Sequence, residues 1–84
     1  MSSLTDLVNI SKVIAADLQK AGISTAEELR YSGSKKAFML IRLNSDSGAC
    51  LSKLCALEGA IQGIRWHFLA DEVKADLRQF YKSL

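Results

Sequence analysis

Residues 49–66, A-C-L-S-K-L-C-A-L-E-G-A-I-Q-G-I-R-W, carry the strongest periodic pattern in the chain. Cys50, Leu54, Leu57, Ile61 and Ile64 fall at alternating steps of four and three. That spacing lines one stripe of a helix with apolar side chains and is incompatible with a strand's period of two. Ala56, Gly59, Ala60 and Gly63 form a second band of small residues. Glycine inside a helix costs roughly 1 kcal/mol relative to alanine, so close approach by another element is the expected compensation. A G-x-x-x-G pair in an apolar run can mark a membrane helix, but Lys53, Glu58, Gln62 and Arg65 interrupt this one. The expectation is a central helix over residues 49–65, reaching Trp66, against which the rest of the chain folds.

The remaining sequence supports an all-helical reading. There is no proline, and the five glycines sit near expected helix ends or in the small-residue band, which favours helices over a turn-rich sheet. Residues 4–8 suffice for a short helical turn that touches the core through Leu4 and Leu7. Ser11 stands where it can cap a helix over residues 12–20 with Ile14, Leu18 and Ala21 inward, and Gly22 ends that helix in the left-handed conformation. Ile23 then plugs the core. Ser24 with Glu27, or Thr25 with Glu28, forms a capping box for a third helix that buries Leu29 and stops at Gly33 for the same reason.

Residues 36–43, K-A-F-M-L-I-R-L, fit a buried strand or a buried helix by periodicity. A lone strand among helices would leave its backbone groups unpaired. A helix over residues 35–44, capped by Ser34, is therefore expected. Residues 44–48 read as a polar loop. Beyond Trp66 a short connection leads to a last helix over residues 70–82, with Asp71 and Glu72 in its first turn and Arg78 and Lys82 near its end, as the helix dipole favours. Val73, Leu77, Phe80 and Leu84 make its apolar stripe.

Eighty-four residues make one small domain, spanning 1–84, that must pack well because it buries only about two-thirds of its unfolded surface. The apolar fraction of 49% and charged fraction of 24% match a folded protein rather than a disordered tail. Eleven basic and nine acidic residues, spread along the chain, leave a net charge of +2 and a pI near 8.7. A dedicated nucleic-acid binder concentrates its basic residues and exceeds that pI. Cys50 and Cys55 point to different sides of one helix and cannot bridge. With no secretory apolar core and no long apolar run, the expectation is a reduced, cytoplasmic protein with no membrane partner.

The motifs Asn9-Ile10-Ser11, Gly22-Ile23-Ser24-Thr25 through Leu29, and Leu57-Glu58-Gly59-Ala60-Ile61-Gln62-Gly63 together resemble the C-terminal domain of the TfoX/Sxy family of bacterial competence regulators. The resemblance covers about residues 4–78. Its L-E-G-A-I-x-G segment, followed here by Trp66, is the specific part, since G-I-x-T-x-x-x-L recurs in many helix-hairpin-helix modules. The resemblance implies a helix-hairpin-helix/SAM-like domain of five helices plus a short N-terminal helical turn. The hairpin half would be residues 4–33 and the helical half residues 34–84. It also implies a non-enzymatic regulatory module that helps to switch on competence genes through contact with a transcription regulator or with itself. Members commonly carry a separate N-terminal domain, which these residues do not include.

Helix-hairpin-helix proteins turn backbone N–H groups toward a DNA phosphate, aided by a nearby cation. Asn9, Ile10, Ser11 and Lys12 occupy that hairpin and are the candidate phosphate contacts of a nonspecific DNA-binding module. Asn9 and Ser11 replace the usual glycines, and a hairpin that only packs is the competing reading. Gly22, Thr25, Leu57, Glu58, Gly59, Ala60, Gly63 and Trp66 are the family-motif positions, expected to act mainly in structure. Glu58, if buried, needs a partner such as the N–H groups at a neighbouring helix start; a structural cap or ion pair is the expected role, and partner binding is its alternative. Trp66 reads as a core residue or the closure of a helix end rather than a base-stacking group, and the lone His67 as a surface or hydrogen-bonded residue rather than a ligand. Tyr31, Phe80 and Tyr81 are candidates for an exposed patch, and Arg30, Lys35, Lys36 and Arg42 form the densest basic cluster. No second acid, nucleophile or base stands at a supporting spacing, and one histidine with two divergent cysteines does not make a metal site. No catalytic residue, cofactor or small-molecule substrate is expected.

Overall fold

The computed structural model describes residues 3–44 and 50–84. A 3₁₀ turn at Leu4–Asp6 leads into five helices: α1 (Lys12–Lys20), α2 (Ala26–Ser32), α3 (Ser34–Asn44), α4 (Leu51–Gln62) and α5 (Asp71–Lys82). A second 3₁₀ turn, Trp66–Phe68, joins α4 to α5. The fold is all-α. Its one extended contact among the described residues is an isolated bridge between Ser3 and Thr25.

The front half follows its local signals. Ser11 caps α1, its hydroxyl accepting from the Ile14 N–H at 3.2 Å, and Gly22 takes φ +89° after the helix ends. Of the two possible caps for α2, Thr25 is the one used: its hydroxyl accepts from the Glu28 N–H at 3.1 Å. Gly33 ends α2 with positive φ, but its ψ of 159° is not the left-handed helical conformation expected from the analogy with Gly22. It is a one-residue corner, and α3 begins at once. Residues 36–43 are helical, so the strand reading falls. Ser34 is the first residue of α3 rather than its cap, because its hydroxyl is spent on Glu58 across the interface.

The central helix is shorter than its pattern suggests. It ends at Gln62 because Gly63 takes φ +77° and ψ 25°. The Ile64 N–H then returns to the Gly59 carbonyl at 2.9 Å, and the Gly63 N–H to Ala60 at 3.2 Å. This pair of bonds is a Schellman motif. Ile64 and Arg65 therefore lie outside the helix, and Cys50 is its N-cap residue. The five-residue stripe is corrected accordingly: Leu54 and Leu57 are buried, Ile61 is half-buried, and Cys50 and Ile64 are exposed. Cys55, Ala56, Gly59 and Ala60 are buried instead. α4 is enclosed on most sides, as the middle helix of a small bundle must be. Position 49 and the expected loop at residues 45–48 lie outside the described residues.

The core joins Leu4, Leu18, Leu29, Phe38, Ile41, Leu54, Leu57 and Leu77, all essentially inaccessible to solvent. α5 keeps its expected bounds, with Leu77 buried, Val73 and Phe80 packed at the margin, and Leu84 exposed.

Candidate functional site

The hairpin and the end of α4 form one junction. Asn9 takes φ +70°, the left-handed conformation that asparagine tolerates better than most residues. Its Nδ2 donates to the Ile64 carbonyl at 2.9 Å and, more weakly, to the Ala56 carbonyl at 3.5 Å. Its Oδ1 accepts from the Trp66 N–H at 3.3 Å. One amide thus satisfies both an acceptor and a donor of the backbone segment that follows α4.

Gly59 explains the small-residue band. A Cβ there would stand 2.5 Å from Asn9 Nδ2 and 2.7 Å from the Ile64 oxygen, so only glycine lets the hairpin reach the helix. The close-approaching elements are the Asn9 turn and the chain's own segment after Gly63. Gly63 itself serves as the helix stop, with open space around it.

These contacts place the four candidate phosphate residues. The Asn9 side chain is turned inward, Ile10 is buried, and the Ser11 hydroxyl caps α1. Lys12 alone of the four projects an exposed charged side chain. Three residues not grouped with them stand beside the junction: Arg65, held between the two Asn9-bound peptides, then His67 and Phe68. Trp66 and His67 stack with ring centroids 4.0 Å apart, and Phe68 is 75% exposed. No sequence signal ties residue 9 to residues 64–66, because the link is a long-range backbone contact.

Glu58 lies half-buried between α3 and α4. Ser34 Oγ donates to one carboxylate oxygen at 2.6 Å, and Gln62 Nε2 donates to the other at 2.7 Å. The partners are a hydroxyl and an amide rather than free N–H groups of a helix start. Beside Glu58 opens a groove of about 630 Å³ whose walls include Gly33, Lys35, Glu72, Asp76 and Leu77. Lys35 there pairs with Asp76 at 2.7 Å and lies 5.5 Å above the Phe80 ring.

A buried ion pair escaped sequence reasoning. Lys53 Nζ lies 2.9 Å from Asp17 Oδ2, the side chains 9% and 4% exposed, tying α1 to α4. The signal was present: Asp17 follows Ile14 by three positions and so falls on the inward face of α1. Lys53 looked like a solvated interruption of an apolar run, but its charge is turned into the protein.

A second groove, about 490 Å³, lies beside the Gly22–Ile23 turn. Ile23, Leu40 and Tyr31 supply its apolar surface, and Glu27, Glu28 and Lys36 its charges. Tyr31 is 93% exposed. By contrast Tyr81 and Phe80 are half-buried, Tyr81 against Phe38 with centroids 6.0 Å apart. Of the three aromatics expected in a surface patch, only Tyr31 is open. Burial pushes the Cys55 thiol up from its ordinary value, against the lowering influence of Lys74 and Arg78. Both cysteines are free. Among the described residues no three His, Cys, Asp or Glu side chains gather as a metal-binding group, and no helix is long and apolar enough to cross a membrane.

The profile of the TfoX C-terminal domain matches residues 1–81. The chain belongs to the TfoX C-terminal domain family. This is a regulatory-type family. The triclinic-form crystal structure of an uncharacterized Listeria monocytogenes protein is similar at TM-score 0.93 and 52% identity, over 98% of this chain and 92% of that one. The tetragonal-form structure of a Listeria monocytogenes protein of unknown function is similar at TM-score 0.90 and 54% identity, over 95% of this chain and 98% of the other. Among curated proteins, no sequence matches the chain.

Proposed function

We propose that this TfoX C-terminal domain is a cytoplasmic, non-enzymatic interaction module that helps to activate competence genes by contacting a protein of the transcription machinery. The observation that carries the reading, beside family membership, is the groove at the Gly22–Ile23 turn with Tyr31 standing 93% exposed at its edge. A tyrosine presents a large apolar face and a polar tip, the combination enriched at the energetic centres of protein interfaces. Ala21 and Leu40 offer a half-exposed apolar surface, and Glu27 and Lys36 offer opposite charges to orient a partner. Against a duplex-DNA grip by the hairpin alone stand the inward Asn9 amide and the Ser11 hydroxyl used as a cap.

The test is a competence-promoter reporter in a bacterium deleted for its own TfoX-type gene. The wild-type chain is expected to restore the signal. Tyr31→Ala, at equal protein level and unchanged thermal stability, is expected to lose most of it, since truncating such an anchor weakens a contact by about 2 kcal/mol. A silent wild-type chain, or a Tyr31→Ala variant that works as well, would refute the reading.

A further inference from the structure

The junction at Asn9 creates a surface that neither contributing segment has alone. We infer that Lys12, Arg65, His67 and Phe68 form a binding surface for single-stranded nucleic acid, with phosphates held by Lys12 and Arg65 and a base stacked on Phe68 or His67. This inference shares no residue with the groove at Tyr31 and stands apart from the proposed regulatory contact.

Three observations carry it. First, the two segments that meet at the junction carry no acidic side chains of their own. From Leu7 to Ala16 and from Gln62 to Ala70 the sequence contains no Asp or Glu, so the two segments that Asn9 joins bring cations only. This concentration is invisible in the overall charge of +2. It arises because the Asn9 amide donates to the Ile64 carbonyl and accepts from the Trp66 N–H, which brings residues up to 57 positions apart in sequence together.

Second, the aromatic groups are available. Phe68 is 75% exposed on a 3₁₀ turn whose backbone is held at both ends. The Leu69 N–H donates to the Trp66 carbonyl at 3.2 Å, and Lys74 Nζ donates to the His67 carbonyl at 2.8 Å. His67 is exposed and already stacks on Trp66, so an incoming base would extend an existing stack. Bases in a duplex have their faces covered by neighbours, whereas those of a single strand are free to stack on aromatic side chains.

Third, chain connectivity keeps both cations near the Asn9 junction. Lys12 lies three residues from Asn9, at most about 11 Å along the chain, and Arg65 lies between the two peptides that Asn9 binds. A strand of about four nucleotides, the small end of the range for single-strand sites, is the length proposed to span them. Asn9 positions the surface and makes no contact with the strand itself.

The test is fluorescence anisotropy with labelled oligo-dT and oligo-U of twelve nucleotides and a twelve-base-pair duplex, at 20 and 200 mM salt. Both single strands are expected to bind at low salt and more tightly than the duplex. Unequal affinity for the two would identify DNA or RNA as the preferred source of the same chemistry. Two phosphate contacts predict a loss of roughly 25-fold across the tenfold salt change. Phe68→Ala is expected to weaken single-strand binding about tenfold with unchanged melting temperature. Arg65→Glu and Lys12→Glu are expected to weaken it further, and Lys20→Glu on the far end of α1 to leave it within twofold. Absence of single-strand binding at 20 mM salt would overturn the inference. So would binding indifferent to both Phe68→Ala and Arg65→Glu, or a duplex preference that Phe68→Ala does not alter.

Discussion

The two sides of the bundle are tied by ion pairs of nearly equal length and very different surroundings. Between α1 and α4, Lys53 meets Asp17 at 2.9 Å with side chains 9% and 4% exposed. Between α3 and α5, Lys35 meets Asp76 at 2.7 Å with side chains 44% and 63% exposed. Distance does not rank them; burial does. A charge kept from water is costly when its partner is lost, whereas an exposed one is rehydrated. The α1–α4 side is also where Asn9 and Gly59 interlock, so that side should fail abruptly and the α3–α5 side should yield gradually.

The sharpest way to break the contrast is Lys53→Ala, which leaves the Asp17 carboxylate inside the protein. A loss of about 3–5 kcal/mol by urea denaturation is expected, a large part of the stability of an 84-residue domain. The double replacement Asp17→Leu with Lys53→Met should recover most of that loss, since apolar residues of similar volume often replace a buried pair without penalty. If the double variant is as unstable as the single one, the pair is essential to the packing itself.

The hairpin junction comes next. Asn9→Ala removes three hydrogen bonds and places alanine at φ +70°, for an expected cost of about 2–3 kcal/mol. Gly59→Ala drives a methyl group against Asn9 Nδ2 and the Ile64 oxygen, for about 2 kcal/mol. The two should be non-additive: in an Asn9→Gly background one of the two obstacles is gone, and Gly59→Ala should cost measurably less. Full additivity in denaturation measurements would mean that the two residues are not in the contact described.

On the other side the effects shrink. Ser34→Ala leaves Glu58 with Gln62 and access to water, and about 1 kcal/mol is expected. Asp76→Asn should cost less than about 1 kcal/mol, and 1 M salt should erase the difference. A change above 2 kcal/mol there would end the distinction between the two sides. The smallest effect is chemical. The folded Cys55 thiol is raised by burial, so its contribution to stability is intact below the unfolded thiol's pKa and lost as pH climbs past it. At pH 8 a thiol reagent should modify exposed Cys50 and reach Cys55 only after denaturant is added.

Most helix boundaries were legible because local chemistry sets them. Ser11, Gly22 and Thr25 act within three or four residues of their own positions, and α1 and α5 keep their expected bounds within a residue. The central helix ends earlier than its pattern implies because the apolar stripe steps from Ile61 on to Ile64, while the backbone turns at Gly63. The open groove at Tyr31 could be anticipated only as an exposed aromatic. The candidate hairpin residues were identified by position, but the direction of Asn9 was not, since its partners are 47 to 57 residues away.

Sequence alone determined the all-α class, the Ser11 cap, the Gly22 stop, the family motifs and the need for close packing at Gly59, because these rest on propensities, spacing and side-chain size. Tertiary structure decided what each polar group faces. Asp17 and Lys53 meet inside, Ser34 serves Glu58 instead of its own helix, and Asn9 binds the segment that follows α4. The physical reason is shared: a polar group removed from water must find a partner wherever the fold brings one, and that partner is chosen by distance in space rather than along the chain.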